Sequence, residues 1–122
     1  MLDIKTEQAD GFVICRPVGE LDAFTVSQFR EALAGLAGHP RLVIDMSAVP
    51  FVDSAGLGAL IGGIRRAREL GGDVAVVCNR PPLTRLLKTT GFDRIVTVAD
   101  TLEEAAASLA PSPEGADQPP GR

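Results

Sequence analysis

The chain has no tryptophan, no tyrosine and one histidine, and five phenylalanines are its only aromatic side chains. Base stacking and large aromatic ligand pockets therefore lack their usual material. Positive charge is also short: 12 Lys and Arg face 16 Asp and Glu, for a net charge of −4. Nucleic-acid backbones demand a basic surface, so no nucleic-acid partner is expected. The two cysteines, Cys15 and Cys78, lie apart in apolar strand-like runs, with no CxxC or Cys/His spacing. That excludes a zinc site and leaves reduced, buried packing thiols as the default. No apolar run is long enough to span a bilayer and no signal-peptide pattern opens the chain, so a cytoplasmic protein without a membrane partner is expected.

What is present suits a folded globule. A length of 122 residues with 45% apolar content fits one domain with a single core. The charge is unevenly placed: residues 1–50 carry seven acids against four bases, and residues 51–100 carry seven bases against five acids. The excess comprises Arg65, Arg66, Arg68, Arg80, Arg85, Lys88 and Arg94. Solvated helix faces are the ordinary explanation of such a run, and a basic patch that docks an acidic partner is the sharper one.

Ile4 to Gln8 and Phe12 to Val18 read as two strands joined by a turn at Asp10-Gly11. Pro17 predicts that the second strand ends there or has an irregular edge. Asp22 is a plausible cap for a helix from about Phe24 to Leu36, with Val26, Phe29, Leu33 and Leu36 as its buried stripe. Arg41 to Met46 is a continuous apolar strand suited to the centre of a sheet. A helix opens after Asp53-Ser54 and stops at Gly71-Gly72, with Leu57, Leu60, Ile61, Ile64 and Ala67 on one stripe. Val74 to Cys78 is a further strand, Pro81-Pro82 starts a short helix, Leu83 to Thr89, and Ile95 to Val98 is an edge strand. Thr101 to Leu109 is the last helix, and Thr101 and Glu104 have capping-box spacing. This order predicts an α/β protein with a mixed sheet flanked by about four helices. The domain is expected over residues 1–110, and the Pro/Gly-rich residues 111–122 read as a disordered tail.

Enzymatic motifs fail one by one. Gly56-Leu57-Gly58-Ala59-Leu60-Ile61 approaches a dinucleotide fingerprint, but it ends in Ile61 and its first glycine falls inside the helix. No phosphate-binding GxxxxGK[ST] loop occurs. Ser54 lacks the glycine two residues before it that a nucleophile elbow requires, and His39 stands alone in a Gly-His-Pro turn. No cofactor and no catalytic residue are expected.

The informative string is Val52-Asp53-Ser54-Ala55-Gly56-Leu57-Gly58, where a strand hands over to a helix N-terminus. Backbone N–H groups are unpaired there and the helix dipole favours negative charge. Motif-free reasoning makes Ser54 an N-cap or a phosphate holder. Four glycines occupy this helix; Gly62 and Gly63 suit close packing on the sheet, and Gly56 and Gly58 suit a flat landing surface around Ser54.

Together with Gly19-Glu20-Leu21-Asp22 and Leu42-Val43-Ile44-Asp45-Met46-Ser47, this string resembles the signature of the STAS domain of anti-sigma factor antagonists. The likeness covers about residues 3–109 and departs at Ala55, where Ser or Thr is frequent. It implies the STAS fold and no enzyme activity. It also implies phosphorylation at Ser54 by a cognate anti-sigma factor that is a serine kinase, with a phosphatase left open as a second partner. The unphosphorylated chain would bind that anti-sigma factor and free the sigma factor. The contact residues implied are Asp22, Asp53, Ser54, Ala55, Gly56, Leu57 and Gly58; for Asp22 a helix cap is the competing role, and for Asp53 a favourable pairing with the helix dipole. The alternative function is a STAS sensor or scaffold module that binds a nucleotide or lipid.

Overall fold

The computed structural model describes residues 2–109. The expected tail from Pro111 lies outside the described residues. Strands β1 (Asp3–Ala9) and β2 (Phe12–Val18) form the anticipated hairpin. Gly11 closes it at φ +87°, a left-handed conformation that glycine adopts without a Cβ penalty. Helix α1 (Val26–Leu36) leads to β3 (Arg41–Asp45), and α2 (Ser54–Glu69) to β4 (Asp73–Val77). Helix α3 (Pro81–Thr89), a 3-10 turn at Phe92–Arg94, β5 (Thr97–Ala99) and α4 (Leu102–Ser108) complete the order.

The strands lie in sequence order, β1 antiparallel to β2 and the remaining neighbours parallel. This is the expected mixed sheet with four helices. Alternation along each strand splits the core. Cys15, Leu42, Ile44, Val74 and Val76 face a cluster built with Phe29 and Leu33 of α1, Leu60 and Ile64 of α2 and Leu87 of α3. Val43, Ala75, Val77 and Ala99 face the other way, onto Ala105 of α4 and Leu109. Central strands apolar on both faces therefore carry helices on both, as their continuous hydrophobic runs require.

Several boundaries moved for local reasons. Pro17 stays inside β2 because β3 pairs only with Val13, Ile14 and Cys15, so the proline lies where β2 has one neighbour. Helix α3 opens on Pro81-Pro82 as expected, both prolines lying in the first turn where a missing N–H leaves no bond unmade. The strand expected at Ile95 to Val98 begins at Thr97, since the 3-10 turn and its cap occupy Phe92 to Ile95. In α4 the Thr101 hydroxyl accepts from Glu104 N–H at 3.1 Å, while the Glu104 carboxylate takes Asp100 N–H at 3.2 Å in place of the cap's own.

Candidate functional site

The site forms where two loops leave the carboxyl ends of β2 and β3 and run side by side. Gly19 N–H donates to Ala48 O at 3.1 Å, Leu21 N–H to Phe51 O at 2.9 Å and Asp53 N–H to Leu21 O at 3.1 Å. An isolated parallel bridge between Leu21 and Val52 continues the β2–β3 pairing. Buried Leu21, Val49 and Val52 pin both loops to the core, so the surface above them is held by packing.

Asp53 caps α2. Its backbone is extended (φ −96°, ψ −174°), and its Oδ1 accepts from Gly56 N–H at 2.9 Å. The other oxygen, Oδ2, accepts from Ala23 N–H at 3.2 Å. One carboxylate thus satisfies an orphan donor of the helix and ties the helix to the neighbouring loop. The reading of Ser54 as the N-cap is corrected: Ser54 is the first helical residue, and the longer acid before it takes the capping bond. The Ser54 side chain is exposed, and its Oγ has no hydrogen bond among the described residues.

Asp22 does not cap α1. That helix begins at Val26 with Thr25 as its N-cap residue. Asp22 Oδ1 instead accepts from Phe24 N–H at 2.9 Å and Thr25 N–H at 3.2 Å, while Thr25 Oγ1 accepts from Asp22 N–H at 3.0 Å. This reciprocal Asx turn is an alternative to helix that short polar side chains offer the backbone. It lifts Phe24 clear of the protein, 95% exposed. Phe51, on the partner loop, is 51% exposed. Sequence reasoning placed Phe24 as an ordinary first helical residue and gave Phe51 no role of its own. Their signal was present: two of only five aromatic residues stand in the two loops beside Ser54.

The glycines sort differently from expectation. A Cβ on Gly56 would lie 2.5 Å from Leu21 O, so this buried residue serves the contact between α2 and the loop, not the exposed surface. Gly63 is likewise closed, 2.5 Å from Leu33 Cδ1. Around Gly58 and Gly62 nothing approaches within 4 Å. The structure therefore brings Asp22, Asp53, Ser54, Leu57 and Gly58 to one end of the sheet, and puts Gly56 beneath them. Ala55 and Leu57 are partly buried against the core.

Two members of the basic run are engaged within the domain. Arg68 donates to Ile95 O and Arg80 to Ser47 O, tying both to their own domain. Among the described residues no His/Cys/Asp/Glu group could hold a metal, and no described helix is long and apolar enough to cross a membrane. Burial pushes the Cys15 thiol up to about 11, so it is protonated at neutral pH, and Cys78 is a free, buried thiol.

Behind the site, Asp45 at the end of β3 is the one buried charged side chain among the described residues. Burial pushes its carboxyl up, but hydrogen bonds from Ser47 and from Arg16, with the charge of Arg16, prevail and hold it below the usual carboxylate range. Arg16 Nε donates to Asp45 Oδ2 at 3.0 Å and its Nη1 to Glu7 Oε1 at 2.8 Å. Ser47 N–H donates to Asp45 Oδ1 at 3.0 Å, so this acid anchors the start of the loop that carries Phe51 and leads into Ser54.

Comparison with known proteins agrees with this arrangement. An anti-sigma F factor antagonist of Paenibacillus polymyxa is 31% identical over 88% of this chain and 95% of its own. An anti-sigma-B factor antagonist of Listeria monocytogenes is 30% identical over 76% of this chain and 80% of its own. The crystal structure of an anti-sigma factor antagonist from Mycobacterium paratuberculosis superposes with a TM-score of 0.83 at 29% identity, covering 89% of this chain and 94% of that one. The family model of the STAS domain matches residues 3–105, nearly all of the described fold, and the chain belongs to the STAS domain family.

Proposed function

We propose that this chain is an anti-sigma factor antagonist whose docking is switched at Ser54. In the unphosphorylated form it binds a cognate anti-sigma factor that is also a serine kinase, and so releases the sigma factor. The observation that carries this reading is the free Ser54 hydroxyl, exposed on the first turn of α2 while Asp53 does the capping. Its surroundings are those of an interface, with exposed Phe24 and Phe51 on two loops clasped by Asp53. In the proposed reaction Ser54 Oγ bonds to the terminal phosphorus of the kinase's nucleoside triphosphate. The bond from that phosphorus to the diphosphate breaks, the diphosphate leaves, and the hydroxyl proton passes to solvent or to a base of the kinase. The phosphoserine adds about −1.5 to −2 charge beside Asp53, where an interface fitted to a neutral hydroxyl would meet bulk, repulsion and desolvation.

The relatives named as antagonists support the reading. The alternative, a nucleotide-binding sensor, gains less. A cavity of about 300 Å³ lies between α3 and α4, but Asp93, Asp100 and Glu104 line it against Lys88 alone, the wrong balance for phosphate groups. Pull-down by the cognate anti-sigma factor tests the proposal. Ser54→Ala is expected to bind like the wild type and Ser54→Asp to lose binding; equal binding by the two would sink it.

A further inference from the structure

Helices α1 and α2 line a shallow groove of about 190 Å³ whose floor and walls are mostly apolar. Leu33 and Ala34 of α1 face Gly58 and Gly62 of α2 across it, with Arg30 on one wall and Arg66 on the other. Ser54, Gly58, Gly62 and Arg66 form one row of four-residue steps along α2, so the groove leads directly away from the candidate switch. That row spans roughly 18 Å at 1.5 Å per residue, the length of about three helical turns.

The molecule itself does not explain the two glycines here. Glycine weakens a helix interior, and it is kept where a neighbour or a left-handed backbone demands it. Gly56 and Gly63 have such neighbours, whereas the space beside Gly58 and Gly62 is open to 4 Å and neither has a positive φ. The cations are similarly unspent. Arg30 has no acidic partner among the described residues, and Arg66 reaches only the exposed Glu69 at 3.8 Å. Nothing acidic lines the groove, although acids outnumber bases in the chain.

We propose that this groove receives an acidic amphipathic segment of the same anti-sigma factor that reads Ser54. Its apolar side lies over Gly58, Gly62 and Leu33, and its carboxylates pair with Arg30 and Arg66. The inference rests on the function proposed above and extends its contact surface along α2. Charge complementarity selects an acidic occupant, and the continuous row from Ser54 selects the partner already docked there. The open glycines let a partner backbone approach where any side chain would stand in the way.

Two variants test it, measured by calorimetric titration against purified cognate anti-sigma factor, with Ser54→Asp as control. Gly62→Leu fills the groove with a strong helix former. It is expected to melt no lower than the wild type yet bind at least about tenfold more weakly, a combination that loss of fold cannot produce. Arg30→Glu with Arg66→Glu is expected to weaken binding at least about tenfold and to flatten its dependence on salt. If Ser54→Asp abolishes binding while both groove variants bind like the wild type, the groove proposal is wrong and the switch stands. If the wild type and Ser54→Asp bind alike, the switch itself fails and the groove proposal falls with it. A second copy of this chain in the groove would show as a dimer lost in Gly62→Leu with partner affinity unchanged, and that result also overturns the proposal.

Discussion

Replacing Gly56 by alanine should damage this protein more than any other single-methyl addition in α2. A methyl carbon at that position would lie 2.5 Å from Leu21 O, 2.9 Å from Leu21 Cγ and 3.1 Å from Leu21 C. The carbonyl belongs to a loop held by Leu21 N–H on Phe51 O and by Asp53 N–H on Leu21 O, so it cannot swing away without breaking that pairing. Relief of the overlap requires α2 to back off from the loop by most of an ångström. Overpacking of this kind costs about 1–3 kcal/mol. The same shift stretches the Asp53 clasp on Gly56 N–H and Ala23 N–H, and a lost cap adds about 1 kcal/mol. Against this, alanine gains about 1 kcal/mol of helix propensity over glycine. The balance is a destabilisation of about 1–3 kcal/mol, read as a fall in denaturation midpoint at unchanged slope. Gly58→Ala is the internal control: it gains the propensity in open space and should stabilise by about 0.5–1 kcal/mol. Urea unfolding of both variants decides the matter. If Gly56→Ala were as stable as Gly58→Ala, the close approach of α2 to Leu21 would not be a constraint and the geometry argued for the switch would lose its footing.

Phe24→Ser should leave folding stability within about 0.5 kcal/mol, since its ring is 95% exposed, yet weaken anti-sigma factor binding by about ten- to a hundredfold in titration, the worth of burying a large apolar side chain. Wild-type affinity in Phe24→Ser would remove that ring from the interface. Asp45 makes stability depend on acid: its folded carboxyl titrates below the ordinary value near 4, so its contribution is present above that pH and fades as the pH falls through the folded pKa. Asp45→Asn should therefore lose about 1.5–3 kcal/mol at neutral pH and show a shallower fall in stability between about pH 5 and pH 2, measured by urea unfolding across that range. An unchanged pH profile would refute the assignment.

The elements that could be read in advance are those whose signal is local and repeated. The hairpin, the apolar run of β3 and the 3.6-residue stripe of Leu60, Ile64 and Ala67 each encode their own burial, and the Asp-Ser-Ala-Gly-Leu-Gly string marks the helix start. What escaped is decided between segments. Asp22 has the look of a helix cap, but its carboxylate is consumed by Phe24 and Thr25 N–H groups, which turns two expected helical residues into a turn and leaves Phe24 exposed. Asp53 and Ser54 both accept at helix starts, and only the position of Gly56 N–H and Ala23 N–H shows which of them does so. The glycines are the clearest case. Gly56, Gly58, Gly62 and Gly63 are chemically identical letters on one helix, and which pair meets a neighbour depends on where Leu21 and Leu33 arrive from elsewhere in the chain.

The division of labour between Asp53 and Ser54 bears directly on how a phosphate could act. In the first turn of α2, Gly56 N–H is taken by Asp53 Oδ1 and Leu57 N–H by Asp53 O at 2.9 Å. A phosphate on Ser54 therefore enters a helix terminus whose strongest capping bond is already made. The helix dipole still favours it, by about 0.3–1 kcal/mol at an exposed site. The neighbouring carboxylate opposes it, by about 1 kcal/mol per unit charge at 4 Å in water. These contributions are small, of opposite sign, and fall on a segment anchored by buried Leu21, Val49 and Val52. Neither can drive a refolding of the domain. The energy that a phosphorylation switch needs must then come from the partner's side of the contact, where water is excluded and the same charges interact far more strongly. A serine that is free of capping duty would allow this: a phosphate added there would change its charge without altering the structure that presents it.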